Sequence, residues 1–346
     1  MARRRGSSGV TIQAVAERAG TSAMTVSNYL NDTGKMGEAT RERVREAIEA
    51  LDYKPNPAAR ALASSVVARI GLVYVNPQNA FLSAMLVGAL QAATAHGAQL
   101  MVQYGGAPAY DTLAEALRGL VRSGANALLL PPPYSELIAG RPIVEELGVP
   151  IAVVAAGRAM PGIVTVRVDD HAAARTMTDL LISLGHRRIG FIGGPKGHGA
   201  TALRCEGYLD SLRAHGLPEA PELIDSGDFG FDSGLAAAKR LLDLPERPSA
   251  IFASSDDMAA AVLSVAHRRS LTIPDGLAVA GFDDTPIAVK TWPSLTTIRQ
   301  PISEMAERAT LALIARVADG DAGAEDVHVD FKLIERASTG IGRFRR

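Results

Sequence analysis

The stretch Val10-Thr11-Ile12-Gln13-Ala14-Val15-Ala16-Glu17-Arg18-Ala19-Gly20-Thr21-Ser22-Ala23-Met24-Thr25-Val26-Ser27-Asn28-Tyr29-Leu30-Asn31 decides how this chain is read. Ile12, Val15, Ala16 and Ala19 fall at i, i+3, i+4 and i+7, the apolar face of a short helix. Thr11 is placed to cap that helix and Gly20 to end it in the left-handed region. Ser22 is placed to cap a second helix, in which Val26 and Leu30 lie one turn apart and face the same core. Ala23, Met24, Ser27 and Asn28 are then left on the outward face. Two short helices joined by a glycine turn present such a face to the major groove of DNA. An ordinary helical hairpin is the plainer alternative, since a motif match by itself is a hypothesis.

A chain of 346 residues has room for two or three domains with sizeable cores. Its formal net charge is −1, from 36 Lys/Arg and 37 Asp/Glu, so the molecule as a whole is no polycation. The balance is uneven: residues 1–65 hold ten basic against seven acidic side chains. A basic head on a mildly acidic body fits nucleic-acid contact at one end, and a solvated charged face fits equally well. The single cysteine, Cys205, excludes an internal disulfide and suits a reducing compartment. Met1 to Gly9 is basic but leads into no apolar run, and no apolar stretch is long enough to span a bilayer. The expectation is a cytoplasmic protein with no membrane partner.

Beyond the quoted stretch a third helix is expected from about Glu38 to Asp52, with Val44, Ile48 and Leu51 as its buried stripe. Pro55 and Pro57 then break the chain, and Asn56 and Pro57 are suited to start a helix of about two turns over 57–64. A helix that short is marginal alone in water. From Arg69 the pattern becomes alternating β and α. Strands are expected at Ile70–Val75, Leu100–Tyr104, Ala127–Leu130, Ile151–Ala155, Val164–Val168, Ile189–Ile192, Ala250–Ala253, Leu277–Phe282 and Thr296–Arg299. Helices are expected at 81–97, 111–123, 135–147, 170–185, 201–215, 232–243, 256–270 and 302–318. This alternation predicts parallel sheets covered on both faces. So many strands imply two similar lobes, with crossing segments near Val164 and Leu295.

Five motifs in order carry a resemblance to the lactose-repressor (LacI) family of bacterial transcription regulators. They are Val15-Ala16-Glu17-Arg18-Ala19-Gly20-Thr21-Ser22 with Thr25-Val26-Ser27; Tyr53-Lys54-Pro55-Asn56 with Ala59-Arg60 and Leu62-Ala63; Leu184-Gly185-His186-Arg187-Arg188-Ile189-Gly190-Phe191-Ile192-Gly193-Gly194; Gly281-Phe282-Asp283-Asp284; and Pro293-Ser294-Leu295-Thr296-Thr297-Ile298. The resemblance implies an all-α helix-turn-helix headpiece (1–56), a hinge helix and linker (57–68), and an α/β two-lobed core like periplasmic sugar-binding proteins, with parallel sheets (69–346). The first lobe would take about 69–163 and 298–328, the second about 167–295 and 330–341. It further implies a homodimeric repressor on a near-palindromic operator, controlled by a small ligand, a sugar or its derivative.

Each motif then receives an expected role. Thr11, Ser22, Thr25, Ser27 and Asn31 suit phosphate contacts, while Ala23, Met24 and Asn28 face the bases. Asn28 stands where the family often has arginine, so a bidentate guanine contact gives way to one suited to adenine. In the hinge, Asn56 and Arg60 accompany Leu62, for which the resemblance implies a minor-groove wedge; core packing is the alternative. In the core, ligands of such folds sit at the carboxyl ends of strands. Asp283, at the end of its strand, is the expected acceptor of ligand hydroxyls; the resemblance implies that Arg204 donates to ligand oxygens and that Phe229 stacks on the ligand ring, and Phe81 is expected as a first-lobe wall, although both phenylalanines could be plain core. Ser255 and Asp256, which stand where the family commonly has Asn-Asp, are expected at the effector as well, and Ala155 stands where the lactose repressor has aspartate. Gly37 replaces a frequent serine cap on the third helix.

Two rival functions are weaker. A solute-binding protein of the same core fold would not need the headpiece. A nucleotide-dependent enzyme would need more than Gly194-Pro195-Lys196-Gly197-His198-Gly199-Ala200-Thr201, which lacks the Lys-Ser/Thr pair of a phosphate loop. The seven histidines are scattered without metal-site spacing, and Asp169-Asp170 and Asp256-Asp257 read as helix-start carboxylates. No cofactor, metal or catalytic residue is expected. Ser338 to Arg346 carries no leucine heptads, so a dimer rather than a tetramer is expected.

Overall fold

The computed structural model describes residues 11–30, 36–51, 53, 67–75, 80–106, 108–320 and 324–340. Asn31 and the hinge residues Asn56, Arg60 and Leu62 lie outside the described residues. The chain divides into two compact units between Val67 and Ala68.

Among its described residues the N-terminal unit holds three helices, α1 (Ile12–Ala19), α2 (Ala23–Leu30) and α3 (Glu38–Ala50). Thr11 Oγ1 accepts from Ala14 N at 3.3 Å, and Gly20 ends α1 at φ 63°, as its position after Ala19 predicts. Ser22 Oγ accepts from Thr25 N at 3.1 Å. Gly37 occupies the cap of α3 with no side-chain hydrogen bond, so that end is left to backbone and solvent. Val15, Ala16, Ala19, Val26, Val44 and Ala47 form a small core, with Leu30, Ile48 and Leu51 packed around it.

The larger unit contains two parallel sheets. The first combines β1 (Arg69–Tyr74), β2 (Gln99–Tyr104), β3 (Ala127–Leu130), β4 (Ile151–Val154), β5 (Val164–Arg167) and β11 (Glu325–His328) in the order β11-β5-β4-β3-β1-β2. Its faces are covered by α4 (Ala80–Ala95) and α13 (Ile302–Asp319) on one side and by α5 (Tyr110–Arg122), α6 (Tyr134–Leu137) and α7 (Ile143–Leu147) on the other. The second combines β6 (Ile189–Gly193), β7 (Ile224–Ser226), β8 (Ala250–Ala253), β9 (Ala278–Asp283), β10 (Thr296–Arg299) and β12 (Lys332–Ile334) in the order β12-β10-β9-β8-β6-β7. There α8 (Asp170–Ser183) and α9 (Gly199–Ala214) pack one face and α10 (Phe231–Leu242) and α11 (Asp256–Arg268) the other, with the short α12 (Pro286–Lys290) beside α11. Every strand pairing is parallel except β12 on β10. Fully buried strands such as Ala127–Leu130 and Ala250–Ala253 explain the unbroken apolar runs of the sequence.

Three details correct the expectations. The chain crosses between lobes three times, after β5, after β10 and after β11, so Val164–Arg167 belongs to the first sheet and Thr296–Arg299 to the second. The expected helix over 135–147 is two short helices, because Gly140 at φ 65° and Pro142 intervene. Strands β7, β11 and β12 have no counterpart among the expected elements; they are short pieces of three or four residues at sheet edges, and β11 and β12 lie beside strands from which they are distant in sequence.

Candidate functional site

In the N-terminal unit the outward surface of α2 is the candidate nucleic-acid interface. Met24 is 70% exposed, and Ser27 and Asn28 are half-exposed along the same helix. Ala23 departs from the expected arrangement: it packs against the small core rather than standing free. Thr11 and Ser22 are exposed, but each already accepts a helix-capping hydrogen bond, and Ser22 Oγ also lies 2.9 Å from Thr25 Oγ1. Their hydroxyls therefore set the helix ends as well as offering polar atoms to a phosphate. On α3, Arg45 is held by Glu42 and Glu49, and Arg43 donates to Thr40 Oγ1 at 3.3 Å.

The core contains a cavity of about 440 Å³ between its two lobes. Its walls come from loops after the carboxyl ends of strands: Val75 after β1, Pro131 after β3, Ala155 after β4, Pro195 after β6, Ser255 after β8, Asp283 closing β9 and Gln300 after β10. This is where an open α/β sheet presents its side chains to a ligand. Phe81, Arg204, Phe229, Ser255 and Asp283, all expected from sequence, line it together.

Arg204 is 4% exposed on α9. Its Nε donates to Asp170 Oδ1 at 2.7 Å, its Nη1 donates to the Ser254 carbonyl at 2.7 Å, and the guanidinium lies 3.5 Å from the Phe282 ring centroid. Most of its bonding capacity thus holds the second lobe together. Asp170 is 1% exposed; burial pushes its carboxyl up, opposed by the Arg204 guanidinium. Asp283 has φ 106°, a left-handed backbone that turns its carboxylate at the strand end into the cleft. One of its oxygens accepts from Gln300 Nε2 at 2.5 Å. Burial pushes this carboxyl up to about 7, against the nearby Arg204 and Gln300.

Phe229 also has a positive φ, 68°, and its ring lies over Gly194. A Cβ at Gly194 would come 2.1 Å from that ring, so the glycine makes the aromatic wall possible. His198 meets the same ring edge-on at 5.2 Å and is held below the usual imidazole range by burial. Ser255 caps α11, accepting from Met258 N at 3.2 Å and donating to the Phe229 carbonyl at 2.9 Å. It positions the aromatic residue more than it reaches into the cleft.

Asp256 does not line the cavity. It is fully buried: Oδ2 accepts from Thr285 N at 2.7 Å and Oδ1 from Thr297 Oγ1 at 2.6 Å, tying α11 to β10. Its neighbour Asp257 faces the cavity instead, half-buried and pushed up by burial. Sequence reading missed Asp257, Gln300, His198, Asp170 and Tyr74. Gln300, directly after the expected strand Thr296–Arg299, and Tyr74, near the end of the expected strand Ile70–Val75, carried a positional signal; the others carried none. Among the described residues no group of His, Cys, Asp or Glu could hold a metal ion, and no helix is long and apolar enough to cross a membrane.

Comparisons with known proteins match both regions of the chain. Residues 11–56 match the profile of bacterial regulatory proteins of the lacI family, and residues 178–339 that of a periplasmic binding protein-like domain. The chain is 34% identical over 323 residues to the HTH-type transcriptional regulator GalS of Salmonella typhimurium, covering 92% of each. It is 32% identical to the HTH-type transcriptional repressor CytR of Escherichia coli, covering 95% of this chain and 96% of that one. Among solved structures, a transcriptional regulator CelR–cellobiose complex superposes with a TM-score of 0.69 at 29% identity, covering 95% of this chain and 99% of that one.

Proposed function

The chain belongs to the lacI family of bacterial regulatory proteins, and from that premise we propose that it is a homodimeric repressor whose hold on a near-palindromic operator is set by a small effector in the core cleft. Sequence-specific DNA binding and the lack of enzymatic activity follow from the family. The single observation that carries the effector reading is the cavity of about 440 Å³ between the lobes, where Asp283, Arg204 and Phe229 converge. A ligand bridging two lobes favours one lobe arrangement over another, which is the differential affinity a regulatory switch requires. A carboxylate, a guanidinium and an aromatic ring suit a polyhydroxylated ring, and the similarity to CelR, which forms a complex with cellobiose, supports a sugar or derivative.

A dimer is supported by the apolar side chains that α4 and β2 leave in solvent, Val87, Leu90, Val102 and Tyr104, and by Val289 with Trp292 at 87% exposure. Patches of this kind mark protein contacts. Two headpieces related by a twofold axis need two inverted half-sites, to which Met24 and Asn28 would contribute base contacts and Thr11, Ser22, Thr25, Ser27 and Asn31 phosphate contacts. Asn56, Arg60 and Leu62 keep the hinge role that their sequence implies, with Leu62→Ala expected to reduce operator bending. Such a protein works in the cytoplasm, on the nucleoid. The test is a thermal-shift screen of the full chain against sugars and nucleosides, followed by operator titration with each hit. Ligand binding to the native state raises the melting temperature. A hit that changes operator affinity in wild type and fails with Asp283→Asn supports the proposal; hits that bind Asp283→Asn equally well overturn the cleft assignment.

A further inference from the structure

The charges around the cleft do not balance. Arg204 is the one cation among the described lining residues, and it is already bound to Asp170 behind the wall. Asp257 and Asp283 also line the cavity, and the one cation near Asp283 is that same committed Arg204; Asp228 is exposed and already accepts from Ser233 Oγ and Gly230 N, while the neighbouring Asp284 is paired with Arg299 and Arg336. Burial holds His198 toward its neutral form, and Lys196 is exposed and outside the lining. A buried or half-buried carboxylate without a counter-charge is costly, so a site built this way favours a ligand that supplies one.

A second, independent observation points the same way. Gln300 is 3% exposed and lines the cavity; its Nε2 is committed to Asp283, which fixes the amide orientation and leaves Oε1 with no hydrogen-bond partner. The polar wall thus holds one orphaned amide oxygen beside the carboxyls of Asp257 and Asp283. Opposite it, the described first-lobe lining is apolar or aromatic, including Phe81, Leu82, Ala155 and the prolines 131–133.

Resting on the reading of this cleft as the effector site, we propose that the effector carries a protonated amine, seated at Asp283, Asp257 and Gln300 Oε1, on a ring whose apolar face packs against Phe229 and the first lobe. An ammonium offers three donors and no acceptor, which matches the wall better than a hydroxyl, whose oxygen would need a donor in return. Charge-assisted hydrogen bonds to the carboxylates are about twice as strong as neutral ones.

The experiment compares matched pairs on the full chain at neutral pH: glucosamine with glucose, galactosamine with galactose, and benzylamine with benzyl alcohol. Thermal shift and calorimetry are read for each, with wild type, Asp257→Asn and Asp283→Asn. The expected result is that at least one amine binds roughly tenfold or more tightly than its hydroxyl partner, a difference of about 1.4 kcal/mol, and that Asp257→Asn erases the preference. Asp257 takes no part in the Arg204–Asp170 network, so that variant keeps the wall standing. Hydroxyl members binding as well as their amines, or no amine shifting the melting temperature up to about 10 mM, overturns the amine assignment. The two readings fail differently. A neutral sugar that binds wild type and is lost with Asp283→Asn removes the amine and keeps the cleft; binding indifferent to Asp283→Asn removes the cleft itself.

Discussion

The helix-turn-helix unit and the core cleft carry function in opposite ways. In the first, the reading side chains lie on the surface of α2, and a core of small residues, Val15, Ala16, Ala19, Val26, Val44 and Ala47, only holds the helix in place. In the second, the functional groups are interior, and they hold one another: Arg204 by Asp170 and Ser254, Asp283 by Gln300, Phe229 by Ser255 and Gly194. A surface site can change what it recognises at little cost in stability. An interior polar site cannot, because each contact also belongs to the fold.

The largest effect is expected for Arg204→Ala. It leaves the carboxylate of Asp170, 1% exposed, without its partner, and breaking a buried pair in this way costs about 3–5 kcal/mol. Denaturant unfolding of the core should shift accordingly, and effector binding should be lost with it. An unshifted midpoint would separate the site from the fold and break the comparison. Next, Val26→Ala removes buried volume from the small core and should cost the N-terminal unit about 2 kcal/mol. DNA affinity then falls while the core unfolds as before, which a domain-resolved melt would read.

A smaller effect is expected at the contact between lobes. A Cβ at Gly157 would lie 2.4 Å from the Gly199 carbonyl carbon, so Gly157→Ala forces the lobes to part there. Overpacking costs of about 1–3 kcal/mol predict effector binding weakened by roughly tenfold or more, visible in calorimetry, with each lobe's own core intact. Smallest is Ser22→Ala, which removes the hydrogen bond accepted from Thr25 N. Loss of such a cap costs about 1 kcal/mol. DNA affinity should drop by a similar factor on every sequence, as measured by anisotropy titration, because a cap orients the helix without reading a base.

Much of this was legible in the sequence, for physical reasons. Gly20, Thr11 and Ser22 announced the ends of α1 and α2 because caps and left-handed positions are local, and so were the apolar runs of the buried strands. Asp283 was reached from the end of its strand and Arg204 and Phe229 through the family resemblance, and all three line the cavity. What stayed hidden was non-local. Nothing in Ser255-Asp256-Asp257 tells which carboxylate turns inward to Thr285 and Thr297 and which faces the cleft; a helix start can present either. The commitment of Arg204 to Asp170, 34 residues away, and the short edge strands β11 and β12 depend equally on partners that only the fold brings near.

The central claim is a division of labour, and one measurement tests it directly. Full-length wild type, Asn28→Ala and Asp283→Asn are each carried through the same selection from random duplex DNA, and each is then titrated on its selected sequence with and without a ligand from the screen. Division of labour predicts an inverted-repeat consensus for wild type, a preference relaxed at one symmetric pair of positions for Asn28→Ala with its ligand response kept, and an unchanged consensus for Asp283→Asn with its response lost. An altered consensus for Asp283→Asn, or a lost ligand response for Asn28→Ala on an unchanged consensus, would contradict it.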